Sequence, residues 1–449
     1  MGETRNQGMT KNTRLSGRSE PSPPDGSKRS GGGGAFRAGR SPVFMIIAMC
    51  LAEVFTMAGT FSFPSLLPLF LREWNLSNTS AGWINGGYFL GYTLAVPLLA
   101  GLTDRVDARR VFLFSSLVNA LASLGFAFFA EGLKTALLFR ALGGFGLAGA
   151  FIPGLKALVD RLSGPAQARA VSFYTASFSL GMSLSFFLTG SLSEGLGWSR
   201  TFLVLGVVSL AAPPLAILAL EPRKPPAPET SLKVLIDFRP VMRNRKAMSY
   251  ILAYAAHMWE MFAFRSWMVA FLTFTAASQP ESGLRLRPTT VAALAGLVAM
   301  WASVGGAELA LKRGRALTVT WIMWASGLMG CLIGLAAGLS YPAAALLGII
   351  YTLFLQGDSA ALHTGVIQSA EPSRRGATMA FQSLLGFGCA SLGPMAVGVL
   401  LDLTGGGQTV FSWFFSFLIM GAGGVIGPIL LLTLARGGEN RAEPPVGKT

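Results

Sequence analysis

Apolar stretches of roughly twenty residues, long enough to cross ~30 Å of hydrocarbon at ~1.5 Å per helical residue, recur along the chain with short polar segments between them. The pattern predicts spans at about 43–71, 81–102, 111–130, 135–155, 170–192 and 201–220, then at about 248–274, 289–311, 317–339, 343–369, 377–403 and 410–435. These runs are continuous rather than alternating over segments of about ten residues, which argues for helices and against a β-barrel. The expected fold is an all-α integral membrane protein of twelve transmembrane helices in two six-helix repeat halves. It divides into a basic N-terminal tail (1–41), an N-terminal half (42–220), a linker (221–246), a C-terminal half (247–435) and a C-terminal tail (436–449). The N-terminal tail contains Gly31-Gly32-Gly33-Gly34 and is rich in Gly, Ser, Arg and Pro. It is expected to be disordered, because it cannot bury enough apolar surface to fold. No short apolar stretch follows its opening residues, so it does not read as a signal peptide.

The halves repeat at a nearly constant offset. Glu53 matches Glu260 and Gly181 matches Gly388, Arg169 matches Arg375, and Asp104 before Arg109-Arg110 matches Glu308 before Lys312-Arg313. Parallel repeats of this kind build one large class of transporters.

Composition agrees with the pattern. Hydrophobic residues make up 52% of the chain and charged residues 13%, against about 25% charged in a soluble domain. The net charge of +15 would suggest nucleic acid in a soluble protein, but here its distribution says otherwise. With a cytoplasmic N-terminus, 29 of the 36 Lys and Arg residues fall on the cytoplasmic side and five on the other, with Arg140 and Arg265 inside spans. This is the positive-inside asymmetry. It predicts both termini and the linker in the cytoplasm, a location in the inner membrane, the lipid bilayer as partner and no nucleic acid. Cys50, Cys331 and Cys389 lie far apart in apolar spans and read as packing residues. With His257 and His363 the only histidines, no metal or other cofactor is expected. No Gly-x-x-x-x-Gly-Lys-Ser/Thr loop is present to drive transport with ATP, and no enzymatic nucleophile motif appears.

Ionisable residues at membrane depth carry the functional signal, since each costs ~2.5–3.5 kcal/mol to insert and normally faces a cavity or a partner. Glu53 lies about 15 Å into span 1. Glu260 lies at similar depth in span 7, with His257 one turn before it; Arg140 is in span 4, Arg265 in the outer half of span 7 and Asp358 in span 10. A carboxylate in low dielectric takes up a proton near neutral pH, so Glu53 is the first candidate for proton coupling. Arg140 is its expected partner, and a Glu53–Arg140 pair that only fixes packing is the bland alternative. Arg265 is the residue that speaks for an anionic substrate. His363 reads as interfacial, and the abundant Gly, Ala and Ser of the spans read as helix packing.

The loop Gly101-Leu102-Thr103-Asp104-Arg105-Val106-Asp107-Ala108-Arg109-Arg110 resembles the signature loop of the major facilitator superfamily. Here Ala100 and Asp107 stand where that family has glycine, and the paired arginines fall one place later. Span 4, with Arg140-Ala-Leu-Gly143-Gly144-Phe-Gly146-Leu-Ala148, resembles the family's second signature. The resemblance implies a monomeric secondary active transporter of a small-molecule substrate, working by alternating access and coupled to protons. It also implies a gating loop of Asp104, Arg105, Arg109 and Arg110, with Glu308 its repeat-related counterpart. Asp104 would support one conformation by meeting the N-terminus of span 11 near Gly376. The leading substrate class is a small organic or inorganic anion. Span 5 lacks the Gly-Pro of the family's drug antiporters, although Gly393-Pro394 occurs in span 11, so drug efflux is the first alternative. A membrane sensor on a transporter scaffold is the second.

Overall fold

The structure is a computed structural model that describes residues 40–224, 237–278, 286–336, 338 and 340–439. Most of the expected N-terminal tail, the middle of the linker and the end of the C-terminal tail lie outside the described residues.

Nine helices among the described residues are long and apolar enough to cross a membrane. One of them, Gly164–Ala219, makes two passes; adding the first and second spans completes the expected twelve. Span 2, Asn78–Leu102, falls short on hydropathy because Asn78, Thr79, Ser80, Asn85 and Thr93 dilute it. We call the end of the bundle that holds residues 221–224 and 237–238 the linker end, and the opposite end the distal end.

Two spans depart from simple rods, and two others meet almost without a loop. Span 1 is broken into Pro42–Thr56, Ser62–Ser65 and Leu67–Glu73. Pro64 and Pro68, which lack a donor N–H, sit in the second and third pieces. Spans 5 and 6 are two helices that meet with almost no loop at Gly197, whose backbone is non-helical (φ 75°, ψ 171°) and suits glycine. Span 10 is interrupted at Asp358, which keeps helical backbone angles, between Tyr341–Gly357 and Ser359–Ser369.

Glycine sets how closely the spans approach. A Cβ on Gly144 of span 4 would lie 1.7 Å from the Tyr88 carbonyl oxygen of span 2. Between the halves, span 2 meets span 11 backbone to backbone: Cβ atoms on Gly82 and Gly86 would lie 2.6 and 2.3 Å from the carbonyl oxygens of Pro394 and Ser391. Gly190 of span 5 and Thr289 of span 8 touch in the same way. All these contacts between halves are in the distal part of the bundle. Aromatic rings fill the distal end of the N-terminal half, with Phe126 and Phe202 stacked at 4.1 Å and Trp74 and Trp198 edge to face at 5.4 Å.

Candidate functional site

The membrane-depth residues of the N-terminal half do not form the expected ion pair. Glu53, fully buried one turn before the break in span 1, lies 2.9 Å from the hydroxyl of Tyr174 in span 5 through Oε2. Its Oε1 has no partner. Arg140 instead donates from Nη1 to the Thr60 carbonyl at 2.7 Å, inside the span 1 break where helix hydrogen bonding lapses. Its guanidinium lies 4.2 Å from the centre of the Tyr88 ring, a cation–π distance. The break in span 1 thus diverts Arg140 from Glu53 by offering it a free carbonyl.

The C-terminal half gathers more chemistry. Glu260 Oε1 accepts from Ser326 Oγ and from the Tyr351 hydroxyl, each at 2.7 Å. One turn earlier on span 7, His257 Nδ1 lies 2.8 Å from Asp358 Oδ1. Arg265 donates from Nη2 to Gln356 Oε1 at 2.8 Å and stands 5.3 Å from the Phe262 ring centre. His363, read from sequence as interfacial, is exposed and bonds Gln382 of span 11 at 2.9 Å.

Among the described residues, each half therefore holds one buried arginine with no acid at ion-pair distance. Both line small cavities. That of Arg140 is walled by Tyr88, Asn119 and Phe139. That of Arg265 lies between the halves, with Met182 and Phe186 from span 5 facing Met261 and Met268 from span 7. A buried cation is costly unless it is solvated, and here neutral groups do this, the Thr60 carbonyl and Tyr88 ring for Arg140 and Gln356 with the Phe262 ring for Arg265.

The sequence profile of the major facilitator superfamily matches residues 49–394. The chain belongs to the major facilitator superfamily. Among its relatives is the MFS-type transporter YceJ of Bacillus subtilis (strain 168), 24% identical over 348 residues, covering 77% of this chain and 86% of YceJ. The niacin transporter NiaP of Acinetobacter baylyi is 25% identical over 145 residues, 32% of this chain and 33% of NiaP. The multidrug resistance protein B homolog of Mycobacterium tuberculosis is 30% identical over 161 residues, 36% of this chain and 29% of that protein. Among solved structures, a bacterial homolog of the human lysosomal transporter Spinster, in an inward-facing and unoccupied conformation, superposes with a TM-score of 0.71 at 18% identity. That match covers 90% of this chain and 99% of the homolog. The chain is thus a multi-pass membrane transporter of this superfamily.

The superfamily's signature loop shows what the sequence missed. Asp104 is half-exposed, Arg105 and Arg110 are exposed, and among the described residues no ion pair joins Asp104 to span 11. Glu308, its counterpart in the other half, is exposed too. Asp107, where the family has glycine, is the hub instead. It caps span 3 by accepting from the Arg109 amide at 3.0 Å, takes both Arg161 bonds at 2.9 and 2.8 Å, and accepts from the Arg223 amide at 2.8 Å. Burial alone would raise this carboxyl, but the bonds from Arg161 and from the Arg223 and Arg109 amides hold it below the usual carboxylate range. A second carboxylate unforeseen from sequence, Asp402 at the distal end of span 11, accepts from the Asn78 and Thr79 amides at 3.0 and 2.8 Å. It also accepts from their side chains at 2.8 and 2.6 Å.

Proposed function

We propose that this protein is a proton-coupled secondary transporter that moves a small organic or inorganic anion by alternating access. The observation that carries the reading is the pair of buried arginines, Arg140 and Arg265, one in each half and neither matched with an acid. An anion in the Arg265 cavity, which both halves line, supplies the missing charge there, and its release frees the halves to move. The niacin transporter among the relatives supports the reading, niacin being a carboxylic acid. The buried acids carry the proton. Glu53, held by a single tyrosine and with one oxygen free, is the first candidate carrier. The linker and both termini lie in the cytoplasm of a bacterial-type cell, so the closed distal end faces outward and the structure is inward-facing.

Counterflow in proteoliposomes, with labelled nicotinate, benzoate and phosphate and with and without a pH gradient, tests this. Arg265→Lys keeps the charge but loses the planar two-pronged donor. It is expected to weaken anion binding about 10-fold, or about 1.4 kcal/mol. Unchanged affinity removes Arg265 from the substrate site. Glu53→Gln is expected to retain exchange and lose concentrative uptake; concentration at the parent level moves the carrier to another acid.

A second reading, export of hydrophobic compounds, is favoured by the methionine lining of the Arg265 cavity, since methionine adapts to varied apolar ligands. The multidrug resistance protein among the relatives points the same way. Dye efflux that survives Arg265→Lys would support it.

A further inference from the structure

Spans 9 (Arg315–Ala336) and 12 (Val410–Glu439) pack along a glycine seam that stops short of the linker end. A Cβ on Gly424 would lie 2.6 Å from the Gly327 amide nitrogen, and one on Gly330 3.3 Å from the Gly421 Cα. Past Gly427 the seam gives way to Pro428, which withholds an amide from the helix ladder. There the spans part around a cleft of about 550 Å³, walled by Leu317, Thr320, Trp321 and Trp324 of span 9 and Leu432 of span 12. That is the size of a ligand pocket, ~300–1,000 Å³. It opens sideways from the bundle, since Leu317, Trp321 and Trp324 are 53%, 66% and 39% exposed, and exposed Leu328 and Leu335 continue the same face of span 9. The indole N–H groups of Trp267 and Trp413 donate to backbone carbonyls; among the described residues those of Trp321 and Trp324 have no such bond. The Thr320 hydroxyl beside them is unpaired too. At the linker end of this face, Lys312 and Arg313 are exposed. Neither has an ion-pair partner among the described residues, and Glu308 is the one acid between positions 301 and 320.

We propose that the cleft between spans 9 and 12 binds one anionic phospholipid of the leaflet at the linker end. One acyl chain lies in the cleft against Trp321, Trp324 and Leu432, and the phosphate meets Lys312 and Arg313. The ester carbonyls between them accept from the indoles. Trp321 and Trp324 stand six and nine residues into span 9 from Arg315, ~9 and ~14 Å along its axis. That is below the level where an indole N–H finds water, so its acceptor has to come from what fills the cleft. The order along span 9 (cations, then N–H donors, then leucines) matches the order of phosphate, esters and chain along a lipid. Membrane topology alone accounts for the cations, but it accounts for neither the cleft nor the unpaired indoles. A second copy of this chain fits less well, because a two-fold contact through this face would bring two cationic rims together at one depth. Basic residues beside a cleft between spans suit an anionic headgroup. The inference does not depend on what the transporter carries.

Native mass spectrometry tests this, with the protein in detergent titrated with phosphatidylglycerol or with phosphatidylcholine of the same chains. The parent is expected to hold one phosphatidylglycerol after the others are stripped, and to bind phosphatidylcholine about 10-fold more weakly. Trp321→Phe with Trp324→Phe keeps the rings and removes both donors, and is expected to weaken phosphatidylglycerol about 3-fold. Trp321→Ala with Trp324→Ala removes the walls as well and is expected to cost about 10-fold. Lys312→Gln with Arg313→Gln should erase the preference between the two lipids. Trp83→Ala, at an exposed tryptophan of span 2, should change nothing. A measurement on the parent alone covers the case of a variant that fails to fold. Phosphatidylglycerol with a photoreactive chain, in proteoliposomes, is expected to label span 9 between 317 and 328 and span 12 near Leu432. Labels spread evenly over the spans, equal binding of the two lipids by the parent, or undiminished binding in the folded alanine variant each overturn the site. So does a dimer that the alanine variant dissociates, which would make this face a contact between copies of the chain.

Discussion

Two aspartates at opposite ends of the bundle are each wrapped in hydrogen bonds, but they join different things. Asp402 lies at the distal end of span 11, and all four of its donors belong to Asn78 and Thr79 at the start of span 2, in the other half. Asp107 lies at the linker end, and its donors, Arg161, Arg223 and Arg109, belong to its own half or to the first residues of the linker. A carboxylate at a helix C-terminus is disfavoured by the helix dipole, so Asp402 has a reason to seek the N-terminus of span 2. The same chemistry therefore joins the two halves at one end and ties one half to itself at the other, which under the proposed mechanism makes the first a latch and the second a rivet. Alternating access needs the first kind to break in each cycle and the second kind to hold.

The largest expected effect separates these roles. Asp107→Ala strands Arg161, whose side chain is 8% exposed. Removing one partner of a buried pair costs 3–5 kcal/mol; at this partly wetted end we expect about 2–3 kcal/mol of stability. Thermal unfolding in detergent should show it. The distance between spin labels at Asn75→Cys and Gln408→Cys, exposed positions on opposite halves of the distal end, should stay unmoved. A moved distance would make Asp107 a gate residue after all. The pH dependence has a definite sign. Because the folded carboxyl titrates below its ordinary value, its contribution is present above about pH 4 and is lost as pH falls through the folded value. The gap between the parent and Asp107→Asn should close on acidification.

Asp402→Ala should do the reverse, leaving the unfolding midpoint nearly unchanged and shifting the gate. Its four hydrogen bonds are charge-assisted, yet Asp402 is exposed, so we assign the latch about 1–2 kcal/mol in total. That is a roughly 10-fold fall in the distal-closed population, read as a longer Asn75–Gln408 distance. An unchanged distribution would mean that the packing of Gly82 and Gly86 against span 11 closes the distal end by itself. Asp104→Asn should act more weakly and in the opposite sense. Among the described residues Asp104 has no ion-pair partner on span 11, so its proposed role is to stabilise the other state. Losing a carboxylate at a helix N-terminus is worth ~0.3–1 kcal/mol. The mutant should transport more slowly with unaltered ligand affinity; normal flux would remove its proposed gating role.

The sequence made the spans, the halves and the superfamily legible because each is written in runs of many residues. What it left hidden depends on single contacts. Glu53 and Arg140 lie at compatible depths, but the free Thr60 carbonyl in the broken span 1 takes the arginine, and no periodicity announces that break. Tyr174, Tyr351 and Ser326 look like ordinary span residues until they meet Glu53 and Glu260. Asp107 was legible only as a departure from a glycine, and Asp402 only as a charge at a span end. Both gain meaning from residues far away in the chain. Glu194 and Arg200 mark the polar turn between spans 5 and 6, and only the structure shows that the non-helical backbone of Gly197 makes it.

The smallest expected effect tests whether every bond between the halves is a latch. Arg287, just before span 8, lies 2.6 Å from Glu194 at the end of span 5, and like Asp402 this pair bridges the halves at the distal end. The two side chains are 51% and 57% exposed. Water competes for both groups, and holding two long side chains in one geometry costs entropy, so such pairs contribute ~0–1 kcal/mol. Glu194→Gln should shift the distal distance by less than half as much as Asp402→Ala. Salt should then divide the two cases. At 1 M the screening length is about 3 Å, which largely erases an exposed ion pair. The Asp402 bonds to the Asn78 and Thr79 amides are direct contacts at a helix N-terminus and should survive it. High salt is therefore expected to abolish the effect of Glu194→Gln and leave most of that of Asp402→Ala. If salt removes both equally, Asp402 acts as a screened surface charge, and the close packing of spans 2 and 11 is what keeps the distal end shut.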